Sequence, residues 1–273
     1  MTDNDTLGGN DRRIHVVVNE FPAVSETFVL DHITDLIDRG FDVRIFAARR
    51  SETACAHSAV ESYGLLERTT FFARSRSLLG SLTRPCGALA ALHLWRRLGR
   101  AEAEKFMALA QFHNELAACD LIHAHFGQNG AVVEAVRRCF GITTPLMTTF
   151  HGYDLSKLVQ RRGPKLYDRL LASDAMALPI SDRWRSRLIE MGARPENVRV
   201  LKMGVDVDQI DVRHRQRGVN DPLRVLSVGR LVEKKGLGDM IRAIPRVRQM
   251  APDLDLSYQI VGDGPLRSQL MQL

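Results

Sequence analysis

The chain has 273 residues, of which 45% are hydrophobic and 26% are charged, enough to build one large domain or two modest ones. Lys and Arg number 38 against 32 Asp and Glu, so the net charge is +6. Aromatic residues make up only 6%, which argues against the base-stacking surfaces of single-strand binders, and we expect no nucleic-acid partner.

The N-terminus and the cysteines predict a cytoplasmic protein. Residues 1–13 are polar, which is not typical of a signal peptide, and we expect them to be disordered. The four cysteines contain no CxxC pair, which favours reduced thiols over a structural zinc site. The longest apolar run, residues 87–95, is too short to span a bilayer.

Strands alternate with helices from residue 14 onward. The apolar run 14–18 is typical of a strand that is buried on both faces. A helix follows, with Ser25 as the predicted N-cap, Glu26 in its first turn and Gly40 at its end. Further strands are predicted at 42–47, 121–126, 145–150, 175–180 and 198–201, and helices at 130–139, 164–171 and 182–191. Repeated strand–helix units predict an α/β fold with a parallel, doubly wound sheet.

The segment 73–105 is strongly basic, because it holds seven Lys and Arg residues against two Glu residues. Its residues Leu89, Leu92, Trp95 and Leu98 recur three apart, which gives an apolar stripe. Two interpretations stay open. The segment either lies on an anionic membrane surface or packs its stripe on the core beneath a solvated basic face.

A polar stretch predicts a boundary between two domains. We expect an N-terminal domain at 14–204, a linker at 205–222 and a second domain at 223–273. The second domain has a strand at 224–228, a helix at 237–250 and a strand at 256–261. It is predicted to be incomplete, because a mononucleotide-binding half has three strands.

The sequence LRVLSVGRLVEKKG, residues 223–236, indicates a diphosphate site. A buried strand runs into Gly229, and Arg230, Lys234 and Lys235 follow at the strand's carboxyl end, where parallel sheets bind ligands. An Arg side chain offers a planar fork to phosphate, and a Lys side chain offers a point charge.

Two histidines form a possible metal pair. His123 and His125 point to the same face of their predicted strand, because strand side chains alternate. No third ligand with suitable spacing follows them, so the sequence predicts no metal site.

The order of several motifs resembles that of the GT-B glycosyltransferases of family 4, in the exopolysaccharide (colanic-acid-type) branch. The motifs are NEFPAVSETFV, HAHFG, TTFHGYD, the helix 181–192 leading to LKMGVD, VGRLVEKKG and IVGDGPL. They cover the chain from about residue 14 to its end. The resemblance implies two Rossmann-like domains that face a cleft, the second of them incomplete here.

The resemblance also implies an activity: a sugar moves, with retention, from a nucleotide diphosphate sugar to a hydroxyl of a lipid-linked saccharide at the inner membrane face. The implied catalytic residues are His151, Arg230 and Lys235. Donor binding is implied for Gly229, Arg230, Lys235, Gly262, Asp263 and Gly264, and an acceptor-side place for Ser25, Glu26, His125, Gly127 and Asp154. The two cations would stabilise the leaving diphosphate without a metal, so no cofactor is expected beyond the nucleotide sugar.

Alternatives remain for two of these positions. Asp154 either orients His151 or caps the following helix. The turn Gly262–Asp263–Gly264 either lies beside the nucleotide base or is an ordinary turn.

The chain departs from the family pattern in two places. The loop after the first strand has no glycine, and no pair of glutamates separated by seven residues follows the linker. We therefore expect a C-terminally truncated member, and an inactive fragment or a non-catalytic binding chain is the alternative. The sequence argues against a nicotinamide oxidoreductase, because residues 18–22 lack the G-x-G-x-x-G run.

Overall fold

A computed structural model describes residues 12–23, 26–51, 58–72, 85–205, 207, 210–212, 214, 218 and 221–273. The chain divides into two compact units, Met1–Val205 and Asp206–Leu273, which we call the N-unit and the C-unit. The predicted disorder at 1–13 falls almost wholly outside the described residues, since only Arg12 and Arg13 are described there. The predicted domain limits and linker stay predictions.

Strands and helices alternate along the N-unit. Its strands are β1 (Arg13–Phe21), β2 (Asp42–Arg50), β3 (Thr69–Phe71), β4 (Leu121–His125), β5 (Leu146–Phe150) and β6 (Met176–Pro179). Its helices are α1 (Thr27–Asp38), α2 (Ser58–Ser62), α3 (Pro85–Arg97), α4 (Arg100–Leu109), α5 (His113–Ala117), α6 (Gly127–Phe140), α7 (Lys157–Arg162), α8 (Asp168–Leu171) and α9 (Asp182–Glu190). Short 3₁₀ turns lie at Ala110–Phe112, Pro164–Tyr167 and Pro195–Asn197.

The six strands form one parallel sheet in the order β3-β2-β1-β4-β5-β6. This is the doubly wound order, so the predicted α/β fold class is confirmed. The strand order reverses between β1 and β4, and ligands of such sheets bind at the carboxyl edge near this switch point. The residues that end β1, β4 and β5 are thereby brought together.

The core consists of two apolar layers, one on each face of the sheet. Along β1, Val16 and Val18 pack in the layer with Ile33 of α1, whereas Val17 packs in the layer with Phe106 of α4. Both layers are buried, which explains why β1 reads as an unbroken apolar run rather than an alternating one.

Four local predictions differ from the structure. Strand β3 was not predicted, because three residues are too few for a periodic signal. The predicted strand 198–201 makes only a bridge from Val198 to Ala177, with backbone hydrogen bonds from Arg199 and Leu201 to β6. Helix α1 begins at Thr27 with Glu26 at the N-cap position, so Glu26 lies before the first turn; the predicted cap, Ser25, lies outside the described residues.

The fourth difference concerns the predicted apolar stripe in α3. Leu89, Leu92 and Trp95 are exposed, at 66%, 40% and 55%, and of the stripe only Leu98 is buried. The helix packs on the core through Ala90 and Leu94 instead. The helix therefore faces the core, as one of the two interpretations held, but it does so through Ala90, Leu94 and Leu98 and not through the whole predicted stripe. Residues 73–84 of the basic segment lie outside the described residues.

The C-unit contains strands β7 (Leu223–Val228) and β8 (Leu256–Val261), which pair in parallel, and helices α10 (Leu237–Met250) and α11 (Arg267–Leu270). A 3₁₀ turn, Glu233–Lys235, precedes α10. Leu226, Val228 and Val261 are exposed on this small sheet. The predicted strands and helix are all present, but the prediction that β7 is buried was wrong, since Leu226 and Val228 are exposed. Strands β7 and β8 make up the whole sheet of the C-unit among the described residues.

No described helix combines the length and apolarity needed to cross a membrane. Cys86 and Cys119 are free thiols, and Cys55 lies outside the described residues.

Candidate functional site

The carboxyl ends of β4 and β5 bring two predicted site residues together. His125 ends β4, and His151 directly follows β5, which pairs with β4. His125 Nδ1 lies 3.1 Å from His151 Nε2, and the two rings stack with centroids 5.3 Å apart. Phe28 of α1 and Phe126 flank the His151 ring at 4.5 and 4.6 Å.

Two further histidines extend this pair into a cluster. His123 stacks on His125 at 4.7 Å, and its Nδ1 lies 3.0 Å from Nε2 of His32 in α1. The other ring nitrogen of His123, Nε2, lies 2.8 Å from the Thr149 hydroxyl. We call His32, His123, His125 and His151 the histidine cluster.

His32 is the residue that the sequence analysis missed. It precedes His123 by 91 positions, so no local spacing pattern contains it. Only the sheet topology reveals His32: β1 and β4 are neighbours, so α1, the helix that follows β1, passes beside the end of β4. The sequence analysis found no third ligand after His123 and His125, whereas in the fold one nitrogen from each of His32, His123 and His125 lies within 4.8 Å of the others.

Burial keeps the histidine cluster uncharged. Desolvation, with a smaller contribution from the neighbouring imidazoles, lowers the pKa of His123 to about 3 and that of His151 to about 4. The same causes hold the pKa of His125 well below its usual range, and burial lowers that of His32. At neutral pH these side chains act as neutral hydrogen-bonding groups rather than as cations.

Asp154 fixes the backbone on both sides of the histidine pair. Its Oδ1 accepts the Gly152 N–H at 2.8 Å, and its Oδ2 accepts the N–H groups of Gly127 at 3.0 Å and of His151 at 3.3 Å. Burial raises the pKa of this fully buried carboxyl, and the three N–H donors oppose that rise.

These contacts answer the question that the sequence left open for Asp154. It does not cap the helix that follows it, because α7 has Ser156 at its N-cap position. It instead caps the first N–H of α6 from across the site, a favourable place for a carboxylate. It orients His151 through the backbone, and no contact with the His151 ring is present in the described part of the chain.

Gly127 is required by close packing. A Cβ atom at this position would lie 2.5 Å from Cε1 of Phe150 and 2.7 Å from Cζ of Tyr167, both of which are fully buried. The preceding residue, Phe126, has a φ of 70°, which is unusual for a bulky residue and turns the chain sharply from β4 into α6. The tight corner places the start of α6 directly beside His151.

Gly152 allows a second close approach. Its φ is +95°, and a Cβ atom would lie 3.1 Å from Nε1 of Trp184 in α9. The turn after His151 is therefore held between Asp154 and Trp184.

Of the two predicted acceptor-side residues near the start of α1, only Glu26 is described. Glu26 is the N-cap residue of α1, and Phe28 and His32 of the same helix reach His151 and His123. Ser25 lies outside the described residues.

In the C-unit, two glycine loops pack against each other at the carboxyl ends of β7 and β8. Gly229 N donates to Val261 O at 3.0 Å, and Leu231 N donates to Asp263 O at 2.9 Å. A Cβ atom on Gly262 would clash with the Gly229 carbonyl, and one on Gly264 would lie 2.7 Å from the Leu231 carbonyl. The turn Gly262–Asp263–Gly264 is thus held against the loop that carries Arg230.

The two predicted diphosphate-binding cations lie in this loop region. A Cβ atom on Gly229 would be 3.6 Å from Cε and 3.9 Å from Nζ of Lys235, so the lysine side chain folds back over the glycine. Arg230 and Lys235 are both exposed, and neither makes an ion pair within the described residues. Helix α10 begins just after Lys235, which adds the positive end of a helix dipole.

Comparison with known proteins identifies the family of this chain. The profile of Glycosyltransferase Family 4 matches residues 25–209, more than half of the chain. The chain belongs to glycosyltransferase family 4. This membership confirms the resemblance drawn from the motif order.

Two relatives in the family are similar over most of this chain. The amylovoran biosynthesis glycosyltransferase AmsK of Erwinia amylovora is 32% identical over 265 residues, which are 92% of this chain and 64% of AmsK. WcaL of Salmonella typhimurium (strain LT2), a glycosyltransferase named for colanic acid biosynthesis, is 34% identical over 93% of this chain and 65% of WcaL. The chain therefore spans just under two thirds of the length of either relative.

The fold is shared with a solved structure of low sequence identity. Anabaena Alr3699/HepE, solved in complex with UDP and glucose, matches with a TM-score of 0.61 at 18% identity, over 95% of this chain and 64% of that protein. The likeness shows the α/β fold of the GT-B type.

Proposed function

We propose that the protein is a hexosyl-type glycosyltransferase that moves a sugar, with retention, from a nucleotide diphosphate sugar to a saccharide hydroxyl in bacterial exopolysaccharide or cell-surface polysaccharide synthesis. The observation that carries this proposal is the loop of the C-unit. It holds two exposed cations, Arg230 and Lys235, without ion-pair partners among the described residues, at the carboxyl end of a parallel strand. AmsK and WcaL, both named for polysaccharide synthesis, support the proposed process.

The loop suits the chemistry of the leaving group. When the bond to the sugar breaks, negative charge develops on the departing nucleotide diphosphate. Arg230 would bind two phosphate oxygens with its planar fork, and Lys235 would add a point charge beside Gly229. Two fixed cations of this kind stabilise the charge without a metal ion, and removal of one such stabiliser costs about 10²–10³ in rate.

The neighbouring turn completes the donor side of the proposal. The close contact between Gly229 and Gly262 leaves no room for side chains, so a ligand can approach the backbone of both loops. We assign Gly262, Asp263 and Gly264 to the nucleotide base or ribose. HepE was solved with UDP and glucose, which supports a nucleotide-sugar ligand for this fold.

His151 is the proposed sugar-binding residue of the N-unit. Because its pKa is about 4, it is a neutral hydrogen-bonding partner at pH 7 and would orient the donor sugar rather than supply a positive charge. Its position is fixed by the His125 ring, by Asp154 through the backbone and by the two flanking phenylalanines. Ser25, Glu26, His125 and Gly127 would line the acceptor side.

We further propose a lipid-linked saccharide as the acceptor, with the protein at the cytoplasmic face of the membrane. Helix α3 supports this proposal, because the exposed Leu89, Leu92 and Trp95 are followed by the exposed Arg96. Apolar side chains beside basic ones are the pattern of a helix that lies on anionic lipid.

The proposal is tested by turnover with a matched pair of lysine variants. Purified protein is supplied with nucleotide sugars and acceptor saccharides, and the released nucleoside diphosphate is measured. We expect Lys235→Ala to lower the rate about 10²–10³-fold. Lys234→Ala removes the same charge one residue away, where no contact with Gly229 is made, and should change the rate by only a few fold. Equal rates for Lys235→Ala and the unaltered protein would overturn the assigned role of Lys235.

A further inference from the structure

We propose that His32, His123 and His125 form a binding site for one divalent transition-metal ion of the zinc class. The inference concerns the N-unit alone and does not rest on the proposed function. The ion would lie among the histidines, and the diphosphate chemistry assigned to Arg230 and Lys235 would not need it.

The geometry is close to that of a three-histidine site. One ring nitrogen from each residue lies within 4.8 Å of the others, and the His32 Nε2 to His123 Nδ1 distance is already 3.0 Å. Tetrahedral zinc with bonds of about 2.0–2.1 Å places its ligand nitrogens about 3.3 Å apart. Shifts of about an ångström in the side chains would therefore suffice.

Different elements hold the three ligands. His123 and His125 are alternate residues of β4, so both rings lie on one face of the sheet, stacked 4.7 Å apart. His32 approaches from α1, with its ring edge towards both at 4.8 and 5.6 Å. His123 and His125 are buried, whereas His32 is only partly buried, so the ion would enter the site past His32.

The hydrogen bonds around the cluster prepare the ligand nitrogens. Metal-binding histidines usually donate their second ring N–H to an outer partner, which fixes the tautomer. His123 Nε2 has such a partner in the Thr149 hydroxyl at 2.8 Å, which leaves Nδ1 as the ligand atom. His125 Nδ1 has one in His151 at 3.1 Å, which leaves Nε2.

The Nε2 atom of His125 supplies an independent observation. It is buried and has no hydrogen-bond partner within the described part of the chain, although buried polar atoms are rarely left unpaired. A metal ion would satisfy it. Imidazole nitrogens suit Zn²⁺, Cu²⁺ or Ni²⁺, whereas Mg²⁺ and Ca²⁺ prefer oxygen ligands, and this fixes the class of ion.

The site would also be coupled to His151. With His125 Nε2 on the metal, its Nδ1–H donates to His151 Nε2, so the ion would set the tautomer and orientation of the His151 ring. Three protein ligands leave a fourth position for water or a bound molecule. The ion would thus hold the His151 ring in place through His125.

The test is metal uptake, measured without any nucleotide. The full chain is treated with chelator, dialysed against Zn²⁺ and assayed for metal content and affinity. We expect about one zinc per chain. Affinity should fall at least tenfold in His32→Gln, and about 10–100-fold in Thr149→Val, which keeps all three ligands and removes only the outer hydrogen bond. His93→Gln, a histidine of α3 outside the cluster, is the matched control and should bind like the unaltered chain.

The visible spectrum of the Co²⁺-substituted protein identifies the type of ligand atom. Co²⁺ in the site should show the visible absorption of a tetrahedral nitrogen site without a thiolate charge-transfer band. The proposal is overturned if the chain retains no zinc, if His93→Gln weakens binding as much as His32→Gln, or if a thiolate band shows that a cysteine holds the ion. Near-ultraviolet circular dichroism checks the fold of each variant, and if His32→Gln is unfolded, Thr149→Val decides the outcome alone.

Discussion

The replacement Asp154→Asn tests how the site is held together. The carboxylate accepts three backbone N–H groups, and all of its contacts in the described part of the chain are with donors. An amide keeps one oxygen and turns an NH₂ group towards at least one of these donors. The change therefore breaks one or two charge-assisted hydrogen bonds of a side chain that is fully buried.

The magnitude follows from these contacts. Each hydrogen bond to a charged group contributes about 1.5–3 kcal/mol, and a buried donor left without a partner costs about 1–3 kcal/mol. Part of this loss is returned, because burial raises the pKa of Asp154 and a neutral amide is cheaper to bury than the carboxylate. We expect the free energy of unfolding to fall by about 2–3 kcal/mol.

The assay is urea unfolding followed by tryptophan fluorescence, since Trp184 lies against Gly152 in the turn that Asp154 fixes. Asp35→Asn is the matched control. Its carboxylate makes an exposed pair with Arg39 at 2.9 Å, so its loss should leave the free energy of unfolding almost unchanged. If Asp154→Asn is destabilised no more than Asp35→Asn, the carboxylate does not organise the site and the reasoning is refuted.

Three further predictions concern pH, a buried ion pair and the membrane. The pKa of buried His15 is about 4 in the folded chain against an ordinary value of 6.5, so the unfolded chain binds the proton first and His15 alone lowers the free energy of unfolding by about 3 kcal/mol as the pH drops from 6.5 to 4. The histidine cluster adds to the same slope, so His15→Leu should reduce the pH dependence by about this amount without abolishing it, and an unchanged slope would contradict the prediction. Arg137→Met leaves the buried Glu134 carboxylate without its partner at 2.8 Å and should lower the free energy of unfolding in urea by about 3–5 kcal/mol. The double variant Glu134→Gln/Arg137→Met should recover most of this loss. A decrease below about 1 kcal/mol for Arg137→Met would mean that the pair is not buried as described. Arg96→Gln should lower the affinity for vesicles that contain anionic lipid, measured by co-sedimentation, by about fivefold or 1 kcal/mol. Arg224→Gln on β7 is the control and should leave this affinity unchanged. Equal effects of the two variants would contradict the proposal that α3 contacts the membrane.

The sequence could predict what repeats along the chain. Apolar runs separated by amphipathic helices were enough to place β1, β2, β4, β5 and β6, because a doubly wound sheet buries whole strands. The C-unit elements were found from the same alternation, although β7 and β8 carry exposed apolar residues. β3 has three residues and carries no such signal. In α3 the three-residue spacing of Leu89, Leu92 and Trp95 resembled a core stripe, but Ala90 and Leu94 do the packing, and small side chains give a weak signal.

The candidate site likewise contains some residues that the sequence could predict and others that only the fold reveals. His125, His151 and Asp154 stand in recognisable motifs at strand ends, so their proximity could be predicted. His32 could not be found by spacing, since it reaches His123 only through the pairing of β1 with β4. The contacts of Asp154 with Gly127 and Gly152 depend on the backbone of two separate loops, which a residue pattern does not encode.

The central claim is that the loop at Arg230 and Lys235 binds a nucleoside diphosphate. Isothermal titration of the protein with UDP and GDP measures this directly. The account predicts saturable one-site binding of UDP or GDP, which Lys235→Ala abolishes and Lys234→Ala retains. At a nucleotide concentration a hundredfold above Kd, binding should raise the free energy of unfolding by about 2.7 kcal/mol. No saturable binding of either nucleotide, or equal binding by the two lysine variants, would contradict it.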